Sequence, residues 1–172
     1  EWGLVPFWSK DGKNTGKLIN ARAEGITERP MFREPIKSRR CLVPADSFYE
    51  WHKTDEGKEP YRITMKNGEM IYMAGIWEKW RHEGTIKRTF SIITTAPNSE
   101  MSTLHDRMPV ILDTAEAQQL WLSDLPLSDI LSLLHAPADG TLSMYRISTK
   151  VNKPGNNGED LHDPVPDTTA QV

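Results

Sequence analysis

At 172 residues, with 37% apolar and 26% charged residues, the chain is long enough for one globular core and short for two, so we predict a single domain. A net charge of −3 excludes the strongly basic character of many nucleic-acid-binding proteins, although 10 basic against 7 acidic residues in positions 1–53 leave a local basic face as a hypothesis. The single cysteine, Cys41, excludes an internal disulfide and a cysteine-rich zinc site, and no apolar run is long enough to span a membrane.

The first third of the chain is predicted to be mostly irregular. Residues 1–8 (EWGLVPFW) are typical of a strand end that runs into a loop, and a polar stretch rich in turn formers leads to LINAR at residues 18–22. Residues 24–40 predict a short helix, which Pro30 and Pro35 would interrupt.

The middle of the chain predicts an antiparallel meander. Residues 48–52 alternate with period two between two faces: Phe48, Glu50 and His52 against Tyr49 and Trp51. Residues 60–66 alternate in the same way, and the Asn-Gly pair at 67–68 predicts a hairpin to the following strand at 70–80. A turn at 83–84 would join that strand to the segment KRTFSIITTA.

The C-terminal part predicts short helices between strands. Residues 97–104 have the length and the capping residues of a short helix, and MPVIL predicts the next strand, so that LHDRMP lies on a helix-to-strand connection. Asp113 or Thr114 would cap a helix through Trp121, a second helix would cover residues 126–134, and LSMYRIS predicts a last strand.

These elements indicate an α+β class with a mostly antiparallel or mixed sheet and short flanking helices. From Lys153 the chain is rich in Gly, Asn, Asp and Pro, and we predict that it is loose. We assign residues 1–161 to the domain and residues 162–172 to a flexible C-terminal tail. The chain opens with Glu1 rather than with methionine, so we expect an N-terminally truncated product of a longer gene.

Few residues of this chain offer catalytic chemistry. The GxGxxG, Walker, HExxH, GxSxG and CxxC motifs are absent, which disfavours metal hydrolysis and dinucleotide chemistry, and we expect no cofactor and no metal. The remaining candidates are polar residues in apolar surroundings, namely Asn20, Glu50 and His105. Each also has a structural interpretation, since Asn20 could satisfy a turn, Glu50 could pair with an arginine and His105 could cap a helix C-terminus.

Four segments in this order, WGLVPFW, LINARAE, RCLVPADSFYEW and HDRMPVIL, resemble the motif set of the SRAP family over about residues 2–161. These are the SOS-response-associated peptidases or abasic-site-processing proteins. The resemblance implies one SRAP domain with a barrel-like sheet, and a DNA-damage-response protein that captures abasic sites in single-stranded DNA. We expect a monomer without a membrane partner, cytoplasmic because of its single cysteine and missing signal peptide, and close to the nucleoid in a bacterium.

The chemistry that the resemblance implies starts with autoproteolytic removal of the initiator methionine, which exposes an N-terminal cysteine. The amine and the thiol of that cysteine close a thiazolidine ring on the aldehyde of the abasic sugar, so lyase-like cross-linking and autopeptidase activity are combined. An α-amine has an ordinary pKa of about 8, which leaves nucleophilic free base near neutral pH. No residue here corresponds to the family's Met-Cys-Gly-Arg segment, in line with the truncation that we expect.

The resemblance also assigns roles to the three candidates. Asn20 matches an active-site asparagine that would hydrogen-bond the opened sugar. Glu50 matches a carboxylate that would orient the amine and transfer protons. His105 matches a histidine that would assist opening of the sugar ring and, in reverse, release of the cross-link, because imidazole side chains titrate near neutral pH.

Five further residues are expected to bind DNA. Arg22 looks like a phosphate clamp, Arg107 is a weaker candidate for the same role, and Thr94 matches a hydroxyl group at the site. Phe7 and Trp8 match an aromatic pair that would stack on the bases beside the lesion, with packing in the core as the alternative.

Two other functions stay open. A non-covalent reader of damaged or single-stranded DNA would use the same basic and aromatic residues. A thiol peptidase would need Cys41 as its nucleophile and His105 as its base, although Cys41 lies in the strand-like segment RCLVPAD, where a buried and inert thiol is expected.

Overall fold

The computed structural model describes residues 1–13 and 16–165 and places them in two β-sheets with short helices, which confirms the predicted α+β class. The strands are β1 (Asn20–Arg22), β2 (Arg40–Ala45), β3 (Phe48–Thr54), β4 (Gly57–Met65), β5 (Ile71–His82), β6 (Thr85–Thr95), β7 (Met108–Pro109) and β8 (Leu142–Arg146). The α-helices are α1 (Pro35–Ser38), α2 (Ala115–Leu122) and α3 (Leu127–Ser132), and 3₁₀ helices span Met101–Thr103, Thr149–Asn152 and Glu159–His162.

The larger sheet has the strand order β1, β6, β5, β2, and β7 pairs with the end of β6. β1 runs parallel to β6, whereas the other neighbours are antiparallel. The smaller sheet has the antiparallel order β3, β4, β8. The predicted turn between β5 and β6 is confirmed, because Glu83 and Gly84 have positive φ angles of 45° and 79°, as a tight hairpin with the normal strand twist requires.

One predicted hairpin is wrong, and the expected barrel-like sheet is divided in two. Over the described residues the strands do not close into one barrel, because the chain leaves the larger sheet after β2 and pairs β3 with β4. Asn67 and Gly68 do form a turn, with a φ of 77° at Gly68, but β4 pairs with β3 and β8 rather than with β5. Ile63 and Met65 of β4 pack in one apolar cluster with Leu142 of β8 and with Ile71 and Met73 of β5, so β4 meets β5 through side chains between the sheets rather than through a strand ladder.

Two apolar clusters support the sheets. The first covers one face of the larger sheet, where Ala21 of β1 and Ile93 of β6 pack with Ile36 of α1, Trp121 of α2 and Ile130 of α3. The second cluster joins the two sheets through residues of β4, β5, β7 and β8. The face of β1 and β6 that points away from the first cluster is therefore directed toward the space between the sheets.

The helical predictions are confirmed in part. α2 begins after Thr114, whose hydroxyl caps the helix, and α3 follows Pro126. The helix predicted over residues 24–40 is reduced to turns and the short α1, because Pro35 begins that helix instead of interrupting a longer one. Residues 97–104 contain only the first 3₁₀ helix.

The C-terminal segment stays in contact with the smaller sheet as far as residue 165, unlike the loose chain that we predicted. Leu161 is buried, and Pro164 forms a β-bridge with Ile147. Residues 162–165 of the predicted flexible tail therefore contact the domain, because the Val165 N–H donates to the Arg146 carbonyl at 3.0 Å and the Pro164 bridge extends the edge of β8. The remaining residues of that predicted tail, 166–172, lie outside the described residues.

Candidate active site

A cavity of about 760 Å³ lies between the two sheets, and six of the eight site residues predicted from the sequence line it. These six are Asn20, Arg22, Glu50, Thr94, His105 and Arg107. Apolar side chains such as Val43, Met73 and Ile92 complete the lining. A few polar groups on apolar walls are typical of a site that binds and orients a small polar group.

The backbone of β1 determines where Asn20 and Arg22 point. In the parallel register Asn20 lies beside Ile92 and Arg22 beside Thr94, so the four side chains project from the same face of the sheet. Ala21, between them, is fully buried on the opposite face. Alternation over three residues thus directs two polar side chains into the cavity. We call this side of the cavity the β1–β6 wall.

The two arginines of the cavity differ in their partners. Arg22 is exposed and, in the part of the chain that the structure describes, forms no hydrogen bond or salt bridge, so its guanidinium is available to an anion. Arg107 donates from Nη1 and Nη2 to the two carboxylate oxygens of Glu24 at 2.9 Å each, and Nη2 also donates to the Thr94 carbonyl at 2.7 Å. The hydrogen bonds from Arg107 lower the pKa of Glu24. Arg107 is thus already occupied within the protein.

β3 presents Glu50 to the cavity and fixes the neighbouring side chains on its other face. The Tyr49 hydroxyl and His162 Nε2 are 3.0 Å apart, and Trp51 Nε1 donates to Asn152 Oδ1 at 2.7 Å. Both contacts tie β3 to the C-terminal segment. The 3₁₀ helices near the C-terminus therefore help to hold the strand that carries Glu50.

The loop between the first 3₁₀ helix and β7 carries His105. The backbone N–H of Arg107 donates to His105 Nδ1 at 3.0 Å, and the exposed carboxylate of Asp106 lies 3.3 Å from the same nitrogen. The Arg107 carbonyl oxygen is 3.1 Å from the same nitrogen, so whether Nδ1 accepts or donates depends on the tautomer of the ring. All of these contacts involve Nδ1, which leaves Nε2 as the ring nitrogen without a hydrogen bond to the described residues. We call residues 104–107 the histidine loop.

Glu50 and His105 share the cavity, and their charges interact. Burial raises the pKa of the Glu50 carboxyl group above its ordinary value of 4.5; the positive charge of His105 acts in the opposite direction, and Asp106 adds a smaller upward effect. A carboxyl group whose pKa is shifted toward neutrality exchanges protons more readily at working pH than an exposed glutamate does. The two side chains together are suited to proton transfer.

Phe7 and Trp8 lie outside the cavity and outside the core. Their side chains are 57% and 47% exposed, and their rings meet edge to face with centroids 4.9 Å apart. Leu4 and Val5 of the same segment are buried instead, which shows that core packing is the wrong interpretation for the aromatic pair. The pair presents aromatic surface to solvent.

Cys41 does not share the cavity with His105. It lines a second cavity of about 450 Å³, and burial raises the pKa of its thiol to about 11, so little thiolate is present at neutral pH. The α-amine of Glu1, which lines the same cavity, donates to the Arg88 carbonyl at 3.1 Å. This arrangement speaks against a thiol peptidase built on Cys41 and His105.

Glu24, Trp2 and Phe90 also belong to the site, although the sequence analysis did not predict them as site residues. Trp2 and Phe90 form a β-bridge and both line the cavity. Glu24 lies in the LINARAE motif, but its partner Arg107 is 83 residues away in the sequence. A local sequence pattern cannot predict a salt bridge between residues that far apart. Over residues 1–13 and 16–165 no group of His, Cys, Asp or Glu is arranged to hold a metal ion, and no helix there is both long and apolar enough to cross a bilayer.

Comparison with known proteins identifies relatives of the chain. A family model described as SOS response associated peptidase (SRAP) matches residues 1–154. The abasic site processing protein YoaM of Bacillus subtilis is 48% identical over 166 residues, which cover 94% of this chain and 73% of that protein. The abasic site processing protein HMCES of Xenopus tropicalis is 33% identical over 181 residues, covering 91% and 53%. A crystal structure of a protein from Bacteroides thetaiotaomicron is 36% identical, with a TM-score of 0.87 over 95% of this chain and 75% of that one.

Proposed function

The chain belongs to the SRAP family, and on that basis we propose that it processes abasic sites in single-stranded DNA. The observation that carries the proposal is the presence of Asn20, Glu50 and His105 in one cavity, with the unpaired Arg22 beside them. An abasic sugar offers a small polar aldehyde next to phosphate groups, and this cavity supplies polar groups and an available cation. Two relatives that are named abasic site processing proteins, at 48% and 33% identity, support the same function.

In this proposal each polar group acts on one part of the abasic sugar. Asn20 hydrogen-bonds the opened sugar and holds the aldehyde in place. The protonated imidazole of His105 gives a proton from Nε2 to the ring oxygen as the sugar opens, while the anomeric hydroxyl loses its proton to water and becomes the aldehyde oxygen; the neutral ring takes a proton back in the reverse reaction. Glu50 transfers protons to and from the attacking amine, and Arg22 binds the phosphate next to the lesion.

We extend the proposal to covalent capture by an N-terminal cysteine. The cysteine amine condenses with the aldehyde and releases water, and the thiolate then adds to the imine carbon, which closes a thiazolidine ring. This nucleophile belongs to the family's Met-Cys-Gly-Arg segment, to which no residue of the printed sequence corresponds. Autoproteolytic removal of the methionine, lyase-like activity and a monomeric state are parts of the same proposal.

A non-covalent reader of damaged or single-stranded DNA is the second candidate. The specific observations in its favour are the unpaired Arg22 on the cavity and the exposed Phe7 and Trp8 pair. These groups bind phosphates and stack on bases without any nucleophile. Such a reader would bind abasic DNA reversibly.

One experiment separates the two candidates. The printed chain, and the same chain extended by a Met-Cys-Gly-Arg start and the upstream sequence of its own gene, are incubated with a single-stranded oligonucleotide that carries one abasic site. The undamaged oligonucleotide is the control, and denaturing electrophoresis detects SDS-resistant adducts. We expect an adduct only from the extended protein and only with abasic DNA.

The other outcomes are equally informative. If the extended protein forms no adduct but prefers abasic DNA, and Arg22→Glu abolishes that preference, the protein is a reader. If neither protein distinguishes abasic from undamaged DNA, the proposed function is wrong.

A further inference from the structure

The β5–β6 hairpin extends beyond the cavity and carries basic residues on the face that lines it. Register pairs Lys79 with Arg88, and Arg81 follows two residues after Lys79, so the three cations project from one face. Ile92, four residues after Arg88 on β6, lines the main cavity from the same face. At about 3.3 Å per residue, Arg88 lies about 13 Å from Ile92 along the strand.

Within the described residues, 1–13 and 16–165, the side chains of Lys79, Arg81 and Arg88 form no hydrogen bond or salt bridge. The positive charge of Arg81, with smaller effects of desolvation and of Arg88, lowers the pKa of Lys79, which shows that the charges are close enough to repel each other. Of the acidic residues around the hairpin, Glu83 in the turn lies 3.7 Å from His82 Nε2, and Glu1 lines the second cavity together with Arg88. The cluster is therefore suited to bind an external anion.

Aromatic side chains connect the cluster to the main cavity. Trp77 of β5 pairs with Phe90 of β6, and this pair lies along the hairpin between the cations and Ile92. Both aromatic residues and Arg88 line the second cavity, and Phe90 and Val43 line both cavities, so the two cavities adjoin each other. We call the two adjoining cavities the depression. Basic groups interleaved with aromatic surface are the combination that single-stranded nucleic acid binds.

We propose that the strand of single-stranded DNA leaving the cavity runs along this depression and that Lys79, Arg81 and Arg88 bind its phosphates. The inference rests on the proposed function, which brings the DNA to the cavity. A length of about 13 Å accommodates about four stacked nucleotides at about 3.4 Å each. The aromatic pair then contacts the intervening bases without sequence preference.

The test measures DNA binding by the chain with Lys79→Gln, Arg81→Gln and Arg88→Gln combined. The probe is a fluorescein-labelled single-stranded 12-mer with a central tetrahydrofuran residue, an abasic analogue that has no aldehyde and therefore binds reversibly. The slope of log K against log salt is negative, and removing three phosphate contacts should reduce its magnitude by about 2. Between 50 and 200 mM salt, the unmodified chain should therefore lose about 20-fold more affinity than the variant.

A matched control removes three exposed lysines by Lys53→Gln and Lys58→Gln in the smaller sheet and Lys66→Gln in the turn after β4. This control should leave the salt slope close to that of the unmodified chain. A second variant that keeps the charges, Lys79→Arg with Arg81→Lys and Arg88→Lys, should retain binding. Circular dichroism verifies that all variants are folded.

Four outcomes would overturn the hairpin track, the proposed function or both. Equal salt slopes for the hairpin variant and the unmodified chain, with the preference for the abasic analogue kept, would refute the hairpin track alone. Equal losses in the hairpin variant and the smaller-sheet control would mean a general charge effect and would also refute it. A chain that binds the 12-mer no better than its undamaged counterpart would refute the proposed function, and a chain without any DNA binding would refute both.

Discussion

The β1–β6 wall and the histidine loop line the same cavity, but different interactions hold them. On the wall, the pairing of β1 with β6 fixes Asn20 and Arg22, and Ala21 and Ile93 beneath them are fully buried. The histidine loop has no strand ladder of its own and depends on hydrogen bonds made by Arg107. Burial of apolar surface thus supports one side of the site, and individual polar contacts support the other.

Because of this difference, we expect substitutions beneath the wall to affect the stability of the protein and substitutions in the histidine loop to affect its activity. Apolar burial supplies most of the free energy of folding, so damage beneath the wall should destabilise the whole protein. Polar contacts that are partly exposed contribute little to stability, yet they decide where a side chain points. Substitutions on the two sides should therefore have different signatures, and the following predictions use that contrast.

The largest effect is expected beneath the wall, from Ile93→Ala. Ile93 is fully buried in the first apolar cluster, and an alanine would leave a cavity, so the free energy of unfolding should fall by about 3 kcal/mol in a urea titration. Ile86→Ala on the same strand is the control, because Ile86 is 50% exposed and should change stability by no more than about 0.5 kcal/mol. Equal effects of the two substitutions would contradict the burial account of the wall.

Glu50 lines the same cavity from β3, outside both regions, and Glu50→Gln should lower the rate of abasic-site processing by about 100-fold, since proton transfer is lost. Its pKa is raised in the folded state, so its contribution to stability is complete below its unfolded value of 4.5 and is lost as the pH rises through the folded pKa. The unfolding free energy of the unmodified chain should therefore decrease with pH relative to that of the variant. A difference between the two proteins that does not change with pH would refute the raised pKa.

In the histidine loop, Glu24→Gln should reduce processing about tenfold while costing less than about 1 kcal/mol of stability. The Arg107 pair with Glu24 is partly exposed, which limits its value for folding, but its loss releases the residue whose N–H orients His105. Glu28→Gln, an exposed glutamate four residues along, is the control. If Glu24→Gln destabilised the protein as much as Ile93→Ala does, the contrast between wall and loop would be invalid.

The smallest effect on stability is expected from Arg22→Gln, which should stay within about 0.5 kcal/mol because the side chain is exposed and unpaired in the described structure. Binding should change instead, with the salt slope for single-stranded DNA lower by about 0.7, as for one lost phosphate contact. Arg22→Lys should restore the slope. Unchanged binding by Arg22→Gln would remove this residue from the DNA interface.

Local sequence patterns predicted the elements of this fold better than the partners of its strands. The alternation at Phe48 and Glu50, the turn at Glu83 and the cap at Thr114 are local features, and the structure contains each of them. The turn at Gly68 was also predicted, but the strands that it joins belong to different sheets. Which strands pair depends on apolar surfaces far apart in the chain, and a turn motif carries no information about them.

The candidate site shows the same limit. The sequence motifs predicted Asn20, Glu50 and His105 as site residues, and all three line one cavity in the structure. Their roles in the reaction stay predictions. The state of Arg107 could not be predicted, because its availability depends on Glu24, which is remote in sequence. Residue type indicates what chemistry a side chain can perform, whereas its partners depend on tertiary packing.

The alternation in β1 has a consequence for how this protein can vary in length. Because Asn20 and Arg22 flank the buried Ala21, inserting or deleting one residue within β1 would turn the polar side chains toward the core and the alanine toward the cavity. A substitution in β1 alters one side chain on one face of the strand. A change of length instead reverses which residues face the core and which face the cavity. Insertions near this strand should therefore occur in the connection before Asn20 and not within β1. A family member with an extra residue in β1 would need different side chains on this wall of the cavity.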